Sequence, residues 1–352
     1  MKENSARFRL AYSSPTLDSE MRCALGPSGE GPLTKDILTS QEQLCNRPEV
    51  QEILELFRNS QHESISTHIT SDQWIDHWKH AKERTASSYS GLHFGHYKAH
   101  TFMTAIAEIK CKLVNLAIIS GRPLLRWMKG ISVMLEKSAG DVNVQKLWAI
   151  LLLEADFNAM HKIIFNNRLI PSIEAANAIP MEVIGGRRSQ AATHLALDKK
   201  LIADIANVRK LLTITICADA TNCYDRVAHL FASLCAQYFR LDIMYLAVLF
   251  RAIQSMKIFL RTSHGMSENY YSDNEGQPFQ GVVQGSGAAP ALWMIISIFL
   301  VQYLYSKNLT TYLTTPVSKI VMPLAALIFV DDTDLYVFNS GSETTEEIVL
   351  KA

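Results

Sequence analysis

The sequence lacks both the cysteine pattern of a zinc site and an apolar run long enough to cross a membrane. Its six cysteines stand singly, with no Cys-x-x-Cys pair, which argues against zinc and against a disulfide framework. The N-terminal residues are polar, and the strongest apolar run, Ala291 to Val301, is shorter than the roughly 20 residues that span a bilayer. We therefore expect an intracellular protein that is not secreted and has no membrane partner.

An excess of basic residues is also missing. Lys and Arg number 34 and Asp and Glu number 34, and a net charge of zero argues by itself against a nucleic-acid binder. The charges are segregated, however. Residues 81–210 hold 18 basic and 10 acidic residues, whereas 1–80 and 211–352 each hold 8 basic and 12 acidic residues. A basic middle beside an acidic end suits a polyanion channel next to a metal-binding carboxylate site, and chance clustering on solvated faces is the alternative.

The apolar pattern predicts a mixture of helices and β-rich runs. A loose segment rich in Ser, Pro and Gly occupies 1–40, and helical periodicity marks 41–80, 99–120 and the segment before Lys210. Pro171 is expected to stop the helix that precedes it. β-rich runs are expected at 212–218 and 325–338. We divide the chain into an N-terminal extension (1–80), a basic helical region (81–210) and a C-terminal region (211–352).

The residues with the most chemical potential lie in three segments of the last third. Each stands at the edge of an apolar element, and the three are Asp219 to Asp225, Gly281 to Pro290 and Phe329 to Asp332. Taken singly, each has an ordinary interpretation. A pair of aspartates in a hairpin is usually a turn, a strand that ends in Asp is usually a helix cap, and Gln-Gly-Ser before an apolar helix is usually a turn with a cap. The ordered set of three is more specific than any one of them.

Two adjacent aspartates beside apolar strands are costly to place, because like charges repel and are hard to desolvate. A divalent cation offsets that cost. Magnesium binds a few carboxylates and keeps its other positions for water and phosphate oxygens. A third aspartate, Asp219, would complete a site for two metal ions, which can stabilise both the attacking and the leaving oxygen of a phosphoryl displacement.

The three segments resemble the palm motifs of reverse transcriptases, closest to the non-LTR retrotransposon and group II intron kind. Asp219 with Tyr224 and Asp225 resembles the first motif, Gly281 to Pro290 the Gln-Gly-Ser motif, and Phe329 to Asp332 the aromatic-x-Asp-Asp motif. Weaker resemblance extends upstream through Gly185 to Ser189, so that it covers about 85–340. It implies an α+β fold, namely a right-hand polymerase palm with an antiparallel sheet and helices on one face, and mostly helical fingers at 81–210.

The resemblance also implies roles. It implies an RNA-directed DNA polymerase that takes an RNA template, a DNA primer and deoxynucleoside triphosphates, with two Mg²⁺ ions (or Mn²⁺) as cofactors. Asp219, Asp331 and Asp332 would be the catalytic and metal-binding residues. The nucleotide would be bound by Ala220, Tyr224, Gln284, Gly285 and Lys137, with the Tyr224 ring excluding a 2′-hydroxyl, and nucleic acid by Arg187 and Arg188.

The sequence departs from that family's pattern at two places. Trp148 stands where the family has an arginine that grips the triphosphate, and Arg is hard to replace in bidentate phosphate recognition. Few residues follow the last motif, so we expect the helical thumb to be missing. A catalytically inactive remnant, or a domesticated fragment that only binds nucleic acid, is the alternative. A viral RNA-directed RNA polymerase would have Gly-Asp-Asp where this chain has Val330-Asp331-Asp332.

Overall fold

The computed structural model of the chain describes residues 52, 55–57, 62–86, 88–140, 143, 147–220, 223–262, 264–272, 279–315 and 317–338. The predicted loose segment 1–40 and most of the predicted helical stretch before residue 62 lie outside these residues. The described chain is a mixture of helices and sheets, which confirms the expected α+β class.

The backbone contacts divide the chain into two units, each assembled from two separate stretches. One unit comprises the described residues of Met1–Ile173 and Tyr224–Leu292, and the other those of Glu174–Cys223 and Trp293–Ala352. Each unit draws on distant parts of the sequence. The limits between the units fall after Ile173, Cys223 and Leu292, whereas the sequence predicted boundaries at residues 80 and 210. The assignment of fingers and palm to 81–210 and 211–352 stays a prediction.

The first unit combines a four-stranded sheet with helices. Its strands are β1 (Lys129–Glu136), β2 (Leu147–Leu152), β4 (Lys257–Thr262) and β5 (Gly265–Tyr271), in the order β2-β1-β4-β5. β1 pairs antiparallel with β2 and parallel with β4, and the β4–β5 pair is antiparallel with an irregular stretch after Phe259. Its helices are α1 (Ser71–Lys79), α2 (Phe94–His100), α3 (Thr104–Ser120), α4 (Ala155–His161), most of α5 (Ile170–Ala175), α7 (His229–Tyr238) and α8 (Ile243–Gln254).

Local sequence explains where several of these helices begin and end. Thr70 caps α1, because its hydroxyl accepts from the Gln73 N–H while the Gln73 side chain accepts from the Thr70 N–H. α3 ends at Gly121, which has φ 62°, a left-handed conformation that glycine adopts without cost. Pro171 does not stop its helix as expected. A π-helical segment, Lys162–Leu169, precedes it, and Pro171 falls in the first turn of α5, where a helix tolerates proline.

The second unit contains an antiparallel sheet of three strands. Its order is β3 (Thr213–Asp219), β9 (Asp332–Phe338) and β8 (Ala326–Phe329), and a separate pair joins β6 (Thr311–Thr314) to β7 (Val321–Leu324). Helix α6 (Ala192–Arg209) contributes to the core of this unit. That core is made of Ile184, Leu195, Ile202, Ala206, Leu313, Leu324, Leu327, Tyr336 and Phe338.

One helix among the described residues, α9 (Ala289–Ser306), is long and apolar enough to cross a membrane by length and composition. It extends beyond the apolar run that we judged too short. Half of its apolar window is buried inside the protein, and the core helix of a globular protein passes the same test. The membrane signal is therefore weak.

Candidate active site

The three predicted carboxylates stand at one end of the three-stranded sheet. Asp219 is the last residue of β3, and its partner across the antiparallel pair is Asp332, the first residue of β9. Asp331 lies in the turn between β8 and β9, and its carbonyl oxygen accepts from the Ala220 N–H at 3.1 Å. Directly opposed residues in such a pair have Cα atoms about 4.5–5.5 Å apart. The backbone therefore brings all three aspartates together. Ala220, which was predicted to bind the nucleotide, lies beside them through its bond to Asp331.

The turn that carries Asp331 is held in an unusual conformation. Val330 has φ 55°, a left-handed conformation that is rare and strained for a β-branched residue. The Trp293 indole N–H donates to the Val330 carbonyl oxygen at 2.5 Å. A Cβ on Gly185 would lie 2.5 Å from the Val330 nitrogen, so only glycine fits there. The indole and the close backbone of Gly185 fix the strained turn, and the sequence did not reveal the role of Trp293.

The sequence analysis missed a fourth carboxylate, Asp334, which lies on β9 with Asp332. Asp334 lies two residues beyond Asp332 on β9, so both side chains point to the same face of the sheet. Asp334 is buried, and the Lys199 ammonium contacts its Oδ2 at 2.6 Å. Its backbone partner is Cys217, whose thiol pKa is raised by the hydrogen bond to Asp334. The Asp-x-Asp spacing of Asp332 and Asp334 could have shown that both carboxylates share one face of the strand. The ion pair could not be predicted in this way, because Lys199 on α6 is distant in sequence.

The donor set is of the right chemical type for magnesium. The carboxylates of Asp219, Asp331 and Asp332 are exposed, and none forms a salt bridge with another described residue, so they are accessible to a cation. Among the described residues, no group of three or more His, Cys, Asp or Glu side chains is arranged to hold a metal ion. The residues thus fit Mg²⁺ by chemical type and by backbone register.

The Gln-Gly-Ser loop lies in the other unit, where backbone bonds hold it to the chain after the first motif. The Val282 N–H donates to the Tyr224 carbonyl at 2.7 Å, and the Gly281 N–H donates to the Val227 carbonyl at 2.8 Å. A Cβ on Gly281 would lie 2.7 Å from the Asp225 carbonyl oxygen, and its φ is 85°. The structure therefore brings the predicted Tyr224 next to the loop that carries the predicted Gln284.

A buried histidine also fixes the start of this loop. His229 Nε2 lies 2.6 Å from the Gly281 carbonyl, and Gln254 Nε2 lies 2.9 Å from His229 Nδ1. Burial lowers the pKa of His229 to about 4, while the hydrogen bond to Gly281 opposes that shift. The imidazole is therefore neutral at pH 7, with Nε2 donating to Gly281 and Nδ1 accepting from Gln254. Neither side chain was predicted, because both act through distant contacts.

The far end of the loop is bound by Asn158 on α4. Its amide donates to the Gly285 carbonyl at 3.2 Å and accepts from the Gly287 N–H at 2.8 Å. The Gln284 carbonyl accepts from the Leu151 N–H at 2.9 Å. A cleft of about 290 Å³ opens here, lined among others by Lys162 and Ser286. Asn158 was also missed, since a single asparagine on a short helix that also carries Asp156 and His161 gives little signal.

The remaining predicted residues are more dispersed. Lys137 is exposed just after β1. Arg187 is half-buried and lies 3.8 Å from Glu174, and Arg188 is exposed. Trp148, at the position where the resemblance expects an arginine, is 51% exposed on β2. Lys137 and Trp148 belong to the first unit, as the loop does, and Arg187 and Arg188 belong to the second unit, as the aspartates do. Their roles stay predictions.

Comparison with known proteins adds no assignment. The sequence matches no protein-family model, and no curated protein matches it significantly.

Proposed function

We propose that this chain is the palm and fingers part of an RNA-directed DNA polymerase. The observation that carries the proposal is the pairing of Asp219 with Asp332, with Asp331 in the adjoining turn. The sequence motifs required these residues to meet although they lie far apart in the chain. A turn interpretation of Asp331-Asp332 would not require a third aspartate at the paired position.

The proposed reaction is nucleotidyl transfer. The 3′-hydroxyl oxygen of a primer attacks the α-phosphorus of a deoxynucleoside triphosphate, and a new P–O bond forms as the hydroxyl proton passes to water. The bond from the α-phosphorus to the oxygen that bridges to the β-phosphate breaks and releases pyrophosphate. Divalent cations held by Asp219, Asp331 and Asp332 would supply charge stabilisation for both oxygens. The strained turn at Val330 would set the direction of the Asp331 carboxylate.

The loop from Gly281 to Gly287 would serve the incoming nucleotide and the template. Its backbone is fixed by Val227, Asn158 and His229, so Gln284 and Gly285 are presented by a rigid segment. In this proposal the Tyr224 ring selects deoxynucleotides, because a bulky ring beneath the sugar leaves no room for a 2′-hydroxyl. Its backbone bond to Val282 holds it beside that loop.

Primer extension tests the proposal. The wild-type chain is given poly-rA template, oligo-dT primer, dTTP and Mg²⁺, and is compared with Asp331→Asn/Asp332→Asn. Glu108→Gln, an exposed acid on α3, is the control for loss of a carboxylate. The proposal expects incorporation by the wild type and by Glu108→Gln, and none by the double variant. Incorporation that survives in the double variant would refute it.

A second candidate is a catalytically inactive domain that binds nucleic acid. Two observations favour it, namely Trp148 in place of a phosphate-binding arginine and the lack of converging metal ligands among the described residues. The two candidates separate in one comparison. A folded wild-type chain that binds RNA but gives no extension with either Mg²⁺ or Mn²⁺ supports the second candidate.

A further inference from the structure

One face of the four-stranded sheet carries a row of aromatic rings. Phe259 on β4 and Tyr270 on β5 are backbone partners with ring centres 5.6 Å apart. The ring of Tyr89, from the loop before α2, stacks on Phe259 at 4.5 Å and 30°. Tyr89 and Tyr270 remain 37% and 47% exposed, although three large rings adjoin one another. The row thus presents two accessible rings supported by a buried one.

Two lysines lie over the exposed rings. Lys129 on β1 and Lys257 on β4 are paired residues in adjacent parallel strands. The Lys129 ammonium is 4.6 Å from the centre of the Tyr89 ring, and the Lys257 ammonium is 4.7 Å from the centre of the Tyr270 ring. Like charges at paired positions are unfavourable in a sheet, and an anion between them would relieve the repulsion. Such a pair indicates a negatively charged ligand.

The rest of this face extends the same chemistry. Arg261 on β4 lies two residues beyond Phe259, and Trp148 on β2 is the partner of Leu135 on β1. Successive strand residues alternate between faces, so Glu136 on β1 points to the opposite side from Lys129. This face therefore combines exposed aromatic rings with cations.

Hydrogen bonds of the two residues that flank Tyr89 fix its position in the loop. Its neighbours Ser88 and Ser90 both donate hydroxyl hydrogen bonds to the buried carboxylate of Glu154. Arg126 pairs with that carboxylate at 3.1 Å and also with buried Asp156. Fixed neighbours on both sides reduce the entropy that Tyr89 loses when it binds a ligand. The ring is thus prepared for stacking.

We infer that this face binds single-stranded nucleic acid by base stacking on Tyr89 and Tyr270, with Lys129 and Lys257 contacting phosphates. Aromatic rings on an exposed sheet with adjacent cations suit unpaired bases, because each base offers a stacking surface whatever its sequence. Duplex nucleic acid, whose bases are already stacked, does not use the rings. The inference does not depend on nucleotidyl transfer and holds for either candidate function.

Fluorescence anisotropy with labelled oligo-U and oligo-dT tests the inference on the full chain. Tyr270→Ala is expected to weaken binding on the order of 10- to 100-fold. Tyr270→Phe, which keeps the ring, should bind as the wild type does. Phe102→Ala, which removes an aromatic ring that is 86% exposed elsewhere, is the matched control and should bind unchanged. Lys129→Gln/Lys257→Gln should lower the slope of log affinity against log salt by about 1.4, roughly 0.7 for each phosphate contact.

The outcomes are separable from those of the polymerase assay. The binding assay contains no deoxynucleoside triphosphate, so it reports binding whether or not the chain extends primers. Glu108→Gln, which removes an exposed carboxylate on α3, should bind both oligonucleotides as the wild type does. Unlabelled duplex should compete poorly. Equal affinities for Tyr270→Ala and Phe102→Ala, or equal competition by duplex and single strands, would overturn the inference. Circular dichroism of Tyr270→Ala, a substitution on an edge strand, checks that the variant is folded.

Discussion

Replacing Gly285 with alanine perturbs the loop where its backbone approaches β2 most closely. Gly285 has φ 114°, which side-chain-bearing residues rarely adopt, and an added Cβ would overlap the Leu151 carbonyl oxygen. Gly265, the first residue of β5, has a similar φ of 127° but open space where the Cβ would lie. Gly265→Ala is therefore a matched control that contains the conformational cost without the overlap.

The expected magnitudes follow from these contacts. An unfavourable φ costs of order 1–3 kcal/mol for either variant. In Gly285→Ala the loop must also move, which endangers the Leu151–Gln284 bond and the two bonds made by Asn158. Each is worth about 0.5–1.5 kcal/mol. We expect Gly285→Ala to cost roughly 2–4 kcal/mol more than Gly265→Ala.

Urea unfolding of both variants and the wild type measures the difference. The denaturant slope should stay the same, so that shifts in midpoint report changes in the free energy of unfolding. Equal destabilisation of the two alanine variants would refute this prediction, because the overlap with Leu151 would then have no cost.

Three further predictions concern buried charge and the nucleotide site. The pKa of His229 is about 4 in the folded protein, against an ordinary value of 6.5, so between these values the unfolded chain binds a proton that the folded chain does not. The contribution of this group to the free energy of unfolding should therefore be complete above about pH 6.5 and should fall by about 3 kcal/mol as the pH drops toward 4. A free energy of unfolding in urea that is unchanged between about pH 7 and 5 would contradict this. Arg126→Met leaves the buried carboxylates of Glu154 and Asp156 without their cation, so the free energy of unfolding in the same assay should fall by about 3–5 kcal/mol. A loss below about 1 kcal/mol would mean that the fold does not need this ion-pair network. If the chain extends primers, Trp148→Arg should lower the KM for dTTP with little change in kcat, and an unchanged KM would show that the position does not face the triphosphate.

The sequence indicated the strands that carry Asp219, Asp331 and Asp332, but not the side-chain contacts that stabilise that end of the three-stranded sheet. A run of consecutive β-branched residues marked β3, and the apolar run around Asp331-Asp332 marked a hairpin, so their adjacency could be expected from the motifs. The roles of these residues stay predictions. Lys199 could not be paired with Asp334 in advance, because the helix and the strand meet only after folding.

The same limit applies to the loop. Its glycines were evident in sequence, yet the groups that require them, Leu151 and Asp225, are separated from them by many residues. His229 and Asn158 were missed for the same reason. The continuation of the helix past Pro171 depended on the preceding π-helical turns, and such irregular turns have no strong sequence signal.

Manganese binding tests most directly whether Asp219, Asp331 and Asp332 form one metal site. The electron paramagnetic resonance signal of free Mn²⁺ is followed while the ion is titrated into the wild type, Asp219→Asn/Asp332→Asn and the control Glu108→Gln. Each sample contains dTTP and a template annealed to a primer without a 3′-hydroxyl, so no reaction occurs. The account predicts that the wild type and the control bind Mn²⁺ equally and that the double variant loses this binding. Equal binding by all three proteins would contradict it.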